Sequence, residues 1–420
     1  MAASHAVAPS RATHPRDIDA DLRDLADPPP GPPQWVEVAT RAELARCERW
    51  NGAFADFRKD RRYYELIEDT LRQGFEHRYF VIRDADGGVR AVQPFMLLDQ
   101  DLLAGVDARA HRMAAIGRRV WPRLLICRTL MVGCAAGEGR LDGDPSAHAA
   151  NARCLAAAIM GHARHLKAPL VVLKEFPAEY RTALGCFLDE GFTRIPSMPM
   201  TKLSIAYRDF DDYMTRALTS SIRRKLRRKF KIAAAAPPIE MSIVGDVTPI
   251  IDELYPLYVD VYERSALHFE RLTKEFFCRI GRAMPDKATF FVWRQQGRAV
   301  AFCLAMFEGD AFYPEYVGFD YSVALQIHLY HYVVRDMISW AIDQGFVWLR
   351  SSGLNYDPKL HLRHRLDPID LYVRHRSPVI TRLLKRVLPW IEPTRHDPVL
   401  KLFPNYGELW ERDMTTAAPG

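Results

Sequence analysis

Alternating and helical hydrophobic periods follow one another in the same order twice along this chain. In the C-terminal half, Ile239–Val244 alternates apolar and polar residues and ends at Gly245, which predicts a strand. Asp246 then caps a helix with Ile250, Leu254, Leu257, Tyr258 and Val261 on its apolar face. Thr273 precedes a second helix carrying Phe276, Phe277 and Ile280. Residues 288–293, 299–307 and 311–317 read as three strands, parted by the turns Gln295-Gln-Gly-Arg and Glu308-Gly-Asp. A long helix is expected over 325–344, stopped by Gly345. Residues 346–350 form a short apolar run, as expected of a strand buried on both faces. Asp357-Pro358 opens a short helix, and 369–373 is the last strand.

The N-terminal half repeats this order. Trp35-Val-Glu-Val is a short first strand. Thr40-x-x-Glu43 is a capping box opening a helix, and a second helix is expected near 63–72. Residues 78–83 and 89–93, joined by Ala-Asp-Gly-Gly, predict a hairpin. An insertion of about 25 residues separates it from a strand over 124–132, by the same periodicity. A helix over 147–166, a buried strand over 169–173, a helix over 178–190 and an extended stretch over 192–205 close the copy.

Composition sets the class. The chain has 420 residues, 48% hydrophobic and 26% charged, enough for two globular units of ordinary size. No run of ~18 uncharged apolar residues predicts a membrane span. Residues 1–33 lack the apolar core of a secretory signal, and acidic residues from Asp17 onward argue against a transit peptide. They read as a disordered, proline-terminated arm. The seven cysteines are scattered without C-x-x-C pairing, which fits reduced thiols in a cytoplasmic protein and no structural zinc.

The net charge of +6 is concentrated. Residues 220–231 hold seven basic side chains and no acid. Ile222, Leu226 and Phe230 recur every fourth residue, so one helix face packs on protein while the charges fan out. Arg223 and Arg227 lie one turn apart, as do Arg224 and Arg228, so each pair can meet one anion. The run reads either as a solvated connector or as a site for CoA phosphates, a tRNA backbone or acidic lipid.

The order of elements resembles the GNAT fold of acyl-CoA N-acyltransferases. Present twice around a basic helix, over roughly residues 35–390, it is similar to the tandem-GNAT group that includes FemAB-type aminoacyl transferases. The resemblance implies an α/β fold with mixed sheets. Its parts would be the arm 1–33, a first GNAT-like domain 34–206, a basic connecting helix 207–238, a catalytic GNAT-like domain 239–376, and a C-terminal helix and tail 377–420. GNAT enzymes usually carry an Arg/Gln-x-x-Gly-x-Gly/Ala loop before the long helix to cradle the CoA pyrophosphate. The matching stretch, Gly318-Phe-Asp-Tyr-Ser-Val-Ala-Leu-Gln-Ile, has one glycine and no arginine.

In a GNAT fold the fourth and fifth strands splay and the acyl donor enters the gap. The fourth strand here contains Pro314, which cannot donate to a ladder and demands an edge or a bulge. Period-two alternation puts Tyr313, Glu315 and Val317 on one face and Phe312, Pro314 and Tyr316 on the other. Glu315, a carboxylate in an aromatic strand, reads as a general base with its charge poorly solvated, or as an ion-paired edge residue. Tyr313 and Tyr316 flank it as candidate substrate contacts. His328 and His331 share a helix face and read as substrate contacts or ordinary helix histidines. His361-x-x-His364 has the same spacing, without a converging ligand set for a metal.

After the fifth strand comes a polar loop, 351–359. Ser351, Asn355 and Lys359 are candidate substrate contacts there, and the resemblance implies that Tyr356 protonates the leaving thiolate. The equivalent loop of the first copy, Lys174-Glu-Phe-Pro, is poorer in polar groups, and 124–132 holds no carboxylate. The first copy is therefore expected to shape substrate rather than catalyse. The resemblance thus implies transfer of an acyl group from acyl-CoA or a similar thioester to a small-molecule amine, without a metal. Transfer from aminoacyl-tRNA to a cell-wall precursor or small amine, and an inactive GNAT module that binds a partner, are the other readings.

Overall fold

The structure is a computed structural model that describes residues 35–101, 126–265 and 269–411. The arm 1–33, most of the insertion and the last nine residues of the tail lie outside the described residues. The N-terminal half supplies β1 (Trp35–Ala39), β2 (Glu76–Arg83), β3 (Val89–Asp101), β4 (Ile126–Val132), β5 (Leu170–Pro177), β6 (Thr193–Pro196) and β7 (Met200–Ser204). The C-terminal half supplies β8 (Ile239–Val244), β9 (Ala288–Gln295), β10 (Arg298–Glu308), β11 (Ala311–Phe319), β12 (Trp348–Ser351), β13 (Arg365–Asp367) and β14 (Ile369–His375). Helices of six residues or more are α1 (Arg61–Thr70), α2 (His148–His165), α3 (Phe210–Ala217), α4 (Ser220–Ala235), α5 (Ile251–Arg264), α6 (Lys274–Ala283), α7 (Leu329–Asp343), α8 (Tyr356–His361) and α9 (Pro378–Ile391).

Two seven-stranded mixed sheets result, in the orders β1-β2-β3-β4-β5-β14-β6 and β13-β7-β12-β11-β10-β9-β8. The order is the same twice, as the repeated pattern of the sequence predicts, but each half lends one strand to the other. β7 leaves the first half and lies antiparallel to β12, while β14 leaves the second and lies antiparallel to β5. The stretch 192–205, expected to close the first copy, is therefore two strands in two sheets. Proline marks both crossings: Pro196 and Pro199 flank the passage from β6 to β7, and Pro368 separates β13 from β14. A residue without an N–H cannot extend a ladder, so the chain breaks pairing there and changes sheet.

One hydrophobic cluster spans both halves, joining Tyr63, Val92 and Met131 to Phe276, Leu304 and Tyr313. The Thr40–Glu43 capping box forms as expected. The expected helix over 178–190 is instead a 3-10 turn at Ala178–Tyr180 and a short helix at Gly185–Asp189. The long helix begins later than its periodicity suggests. His328 takes a left-handed conformation, φ 54°, and caps α7 rather than extending it.

Candidate active site at the second fork

β11 and β12 pair in parallel over two positions, Ala311 with Trp348 and Phe312 with Leu349, and then diverge. Beyond the last pair the Arg350 Nη1 donates to the Tyr313 hydroxyl at 2.9 Å, bridging the base of the fork. Of the edge or bulge that Pro314 demands, the structure has the bulge. Leu304 faces Tyr316 and Ala305 faces Pro314, so Glu315 is the extra residue. An extra residue reverses the parity of all that follow. The simple alternation expected for β11 therefore fails: Tyr313 and Tyr316 pack with one core, Phe312 and Val317 with the other.

Glu315 is not the isolated carboxylate expected of an aromatic strand. Arg58 Nε lies 2.5 Å from one oxygen and Lys59 Nζ 3.2 Å from the other. Both cations come from the first half and also bind Glu138, with Arg58 Nη1 at 2.6 Å and Lys59 Nζ at 3.1 Å. The Arg58 guanidinium stacks over the Tyr313 ring at 3.7 Å. Glu308 and Arg140 complete this buried network. With both oxygens engaged by cations, Glu315 holds the two halves together at the bulge, which favours its ion-pair reading.

The carboxyl best suited to proton transfer is Glu270, which the sequence reading passed over. It follows α5 in the loop before α6, and the Tyr316 hydroxyl donates to it at 3.3 Å. Desolvation raises its pKa to about 7, against the opposing pull of Lys174 from the first half. Lys174 Nζ donates to Glu175 at 2.6 Å and to the Gly137 carbonyl at 2.9 Å, and sits 5.0 Å from the Phe269 ring. Its ammonium is held above its ordinary value by Glu175 and Glu270, which outweigh burial. Glu270 thus lies between the halves, partly open to solvent, beside aromatic residues of both. Its signal in the sequence was weak: a lone acid in Phe269-Glu-Arg between two helices.

On the other wall, Lys359 of α8 is buried and donates to the carbonyls of Ser352 at 2.6 Å and Leu354 at 3.0 Å. Burial pulls its ammonium down to about 7. Ser351 shares a hydrogen bond of 3.1 Å with Thr201 of β7, whose hydroxyl also meets His364 Nδ1 at 3.2 Å. Burial and nearby Lys359 lower His364 to about 3, so it is neutral. The exchanged strand therefore forms part of this wall. Asn355 is exposed, with φ 49°, at the start of α8.

Tyr356, expected to face the leaving group, does not. Its hydroxyl donates to the Pro199 carbonyl at 2.8 Å, and its buried ring packs against Phe403. Burial raises its pKa. The helix start that places Asp357-Pro358 at the first turn also rotates Tyr356 inward. His361 bonds its own helix carbonyl at Asp357, while His364 turns inward to Thr201, so the pair does not converge. Among the described residues no group of three or more His, Cys, Asp or Glu is arranged to hold a metal.

The start of α7 is electropositive. Lys229 of α4 lies 2.8 Å from His331 Nε2. Burial, Lys229, His328 and His361 together lower His331 to about 4, leaving it neutral. Because His328 sits outside the helix, the two histidines do not share a helix face as expected. Thr219 caps α4, and Leu226 anchors it in the core of the second half. Arg223 is engaged locally, donating to the carbonyls of Leu218 at 2.7 Å and Thr215 at 3.1 Å. Arg224, Arg227 and Arg228 are exposed, without hydrogen bonds or ion pairs among the described residues.

The fork of the first half is filled. β4 and β5 pair from Thr129 with Leu170 to Val132 with Leu173, and the loop after β4 then folds back. Gly139 N donates to the Glu175 carbonyl at 3.1 Å, and a Cβ at Gly139 would meet the Lys174 carbonyl at 2.7 Å. This segment delivers Glu138 to the buried ion network.

Residues 220–357 match the family model of the acetyltransferase (GNAT) domain. This part of the chain is similar to GNAT acetyltransferase domains. The match begins at α4 and ends in α8, so it contains the fork between β11 and β12 and the bulge. Among solved structures, the C-terminal domain of a putative lysylphosphatidylglycerol synthetase from Agrobacterium fabrum is similar at 12% identity and TM-score 0.48, over 82% of this chain and 94% of that one. FemX is similar at 11% identity and TM-score 0.47, over 77% and 93%. A tandem GNAT protein from the clavulanic acid biosynthesis pathway is similar at 13% identity and TM-score 0.43, over 82% and 99%. No curated protein sequence matches. No described helix is long and apolar enough to cross a membrane.

Proposed function

We propose that the protein is an N-acyltransferase that moves an acyl group from an acyl thioester, with acyl-CoA as co-substrate, to a small-molecule amine. The observation that carries this reading is the fork. Within the GNAT-matching segment, β11 and β12 part after two paired positions, and a bulge at Glu315 leaves backbone unpaired beside the gap.

The donor's thioester enters this gap, and its oxyanion is held by the N–H groups that the bulge frees from the ladder. The acceptor ammonium approaches between the halves and gives a proton to Glu270, whose pKa of about 7 suits a base working near neutrality. The free amine attacks the carbonyl carbon. The C–S bond breaks as the amide forms, the attacking nitrogen loses its second proton to solvent, and the thiolate leaves. Lys359, near 7, is the group in the wall able to return a proton to it. Lys229, beside His331 in the first turn of α7, meets the donor's phosphates where unpaired N–H groups also favour anions, and Arg224, Arg227 and Arg228 add positive charge on the exposed face of α4.

A second reading, transfer from aminoacyl-tRNA, is favoured by one observation: Arg224, Arg227 and Arg228 stand unpaired on an exposed helix face. The test is thiol release from acetyl-CoA and longer acyl-CoAs in the presence of an amine panel, with amide products weighed by mass spectrometry. Stoichiometric thiol and amide support the proposal. Consumption of aminoacyl-tRNA without thiol release moves the assignment to the second reading, and neither reaction leaves a binding module.

A further inference from the structure

Among the described residues nothing covers one apolar face of the C-terminal helix α9. Leu384 and Leu388 pack partly against the first sheet, and the Thr381 hydroxyl donates to the His375 carbonyl at 2.7 Å. These three residues set the protein-facing side. On the adjoining side Val379, Leu383, Val387 and Trp390 recur at helical spacing with exposures of 70, 59, 38 and 78%. Single exposed apolar residues need no explanation, but a continuous stripe does.

The helix also carries charge of one sign. Arg382, Lys385 and Arg386 are exposed, exposed Arg376 precedes them, and no acidic residue occurs from 376 to 391. Placed on a helical wheel, Arg386 borders the apolar stripe next to Val379 and Trp390, while Arg382 and Lys385 continue away from it. An apolar side with an indole near its end, flanked by a basic side, is the pattern of a helix lying in the plane of a membrane surface. A second copy of the chain is a poorer occupant, since a two-fold contact through this stripe brings two acid-free basic clusters together.

We infer that α9 docks the protein on an anionic lipid surface, with Val379, Leu383, Val387 and Trp390 in the headgroup–acyl boundary and the flanking basic residues on lipid phosphates. The inference rests on this helix alone and is independent of the acyl-transfer reading. It orients the molecule with the first sheet's β14–β6 edge toward the lipid, since α9 packs on those strands.

The test is sedimentation of the full chain with vesicles. One set is phosphatidylcholine and phosphatidylglycerol in equal parts, the other phosphatidylcholine alone. The expected result is binding to the anionic set that weakens as salt rises. Leu383→Ser with Trp390→Ser removes binding to the anionic set. Arg382→Glu with Arg386→Glu lowers anionic-vesicle affinity by about tenfold or more, since each basic residue near such a surface contributes a factor of about five. All four positions are exposed, so circular dichroism of both variants matches the parent. No sedimentation with anionic vesicles, or binding unchanged in both variants, overturns the inference. A concentration-dependent dimer abolished by Leu383→Ser with Trp390→Ser, without vesicle binding, reassigns the face to a second copy.

Discussion

Replacing Glu270 by glutamine separates its proton chemistry from its shape. The carboxyl is held protonated up to about pH 7 instead of its ordinary 4.5. A difference of that size corresponds to roughly 3 kcal/mol of disfavoured ionisation, and partial contact with solvent reduces it to about 1–3 kcal/mol. For an acid whose folded-state pKa is raised, the folded state keeps its proton where the unfolded state has lost it. The stabilising effect of neutral Glu270 is thus complete below 4.5, is lost as pH rises from 4.5 to about 7, and is absent above. An uncharged amide carries no such loss, so Glu270→Gln should match the parent's stability at low pH and exceed it by about 1–3 kcal/mol at pH 8. Its activity should move the opposite way. The parent's kcat/KM should climb with pH and level off above about 7, where Glu270 is ionised. The variant should lose a factor of about 10² to 10⁴ and that pH limb with it. Denaturant unfolding and pH–rate profiles on the same preparations give both numbers. A variant within about tenfold of the parent rate that keeps the limb refutes the base assignment, since a positioned base supplies at least about 10².

Arg58→Met should destabilise the fold by about 3–5 kcal/mol in urea unfolding, because Glu138 and Glu315 would keep buried charge without their main partner. Tyr356→Phe should cost about 1–3 kcal/mol through the orphaned Pro199 carbonyl, while kcat of the folded fraction stays within about threefold of the parent. A loss of about 10² or more in kcat would restore Tyr356 to the chemistry. Arg224→Glu with Arg228→Glu should weaken donor binding in calorimetry, with a salt dependence shallow for CoA and steep for tRNA. Unchanged donor affinity in that folded variant would make α4 a connector.

The layout was legible because periodicity reports local structure. The alternation at Ile239–Val244 and the stop at Gly245 needed no tertiary information, and Pro314 by itself announced an edge or a bulge in β11. Partner choice was not legible in the same way. The residues of β7 and β14 read as strands, but which sheet receives them depends on edges formed by distant segments. Prolines at both crossings were the available sign. The site failed for a related reason. Glu315 looked isolated because Arg58 and Lys59, more than 250 positions away, arrive from the other half. Tyr356 looked available because nothing local reveals that the Pro199 carbonyl accepts from its hydroxyl. Glu270 was overlooked because its environment is built by Lys174 and Tyr316, neither of which is near it in sequence.

The central claim is that the fork between β11 and β12 receives an acyl thioester. Native mass spectrometry of freshly purified full-length protein, before and after saturation with acetyl-CoA, tests it most directly. The account predicts a bound species with the mass of CoA or an acyl-CoA, at one per chain, lost or weakened when Arg224 and Arg228 are reversed to Glu. A chain that stays empty at saturating acetyl-CoA, or that retains tRNA in its place, would contradict it.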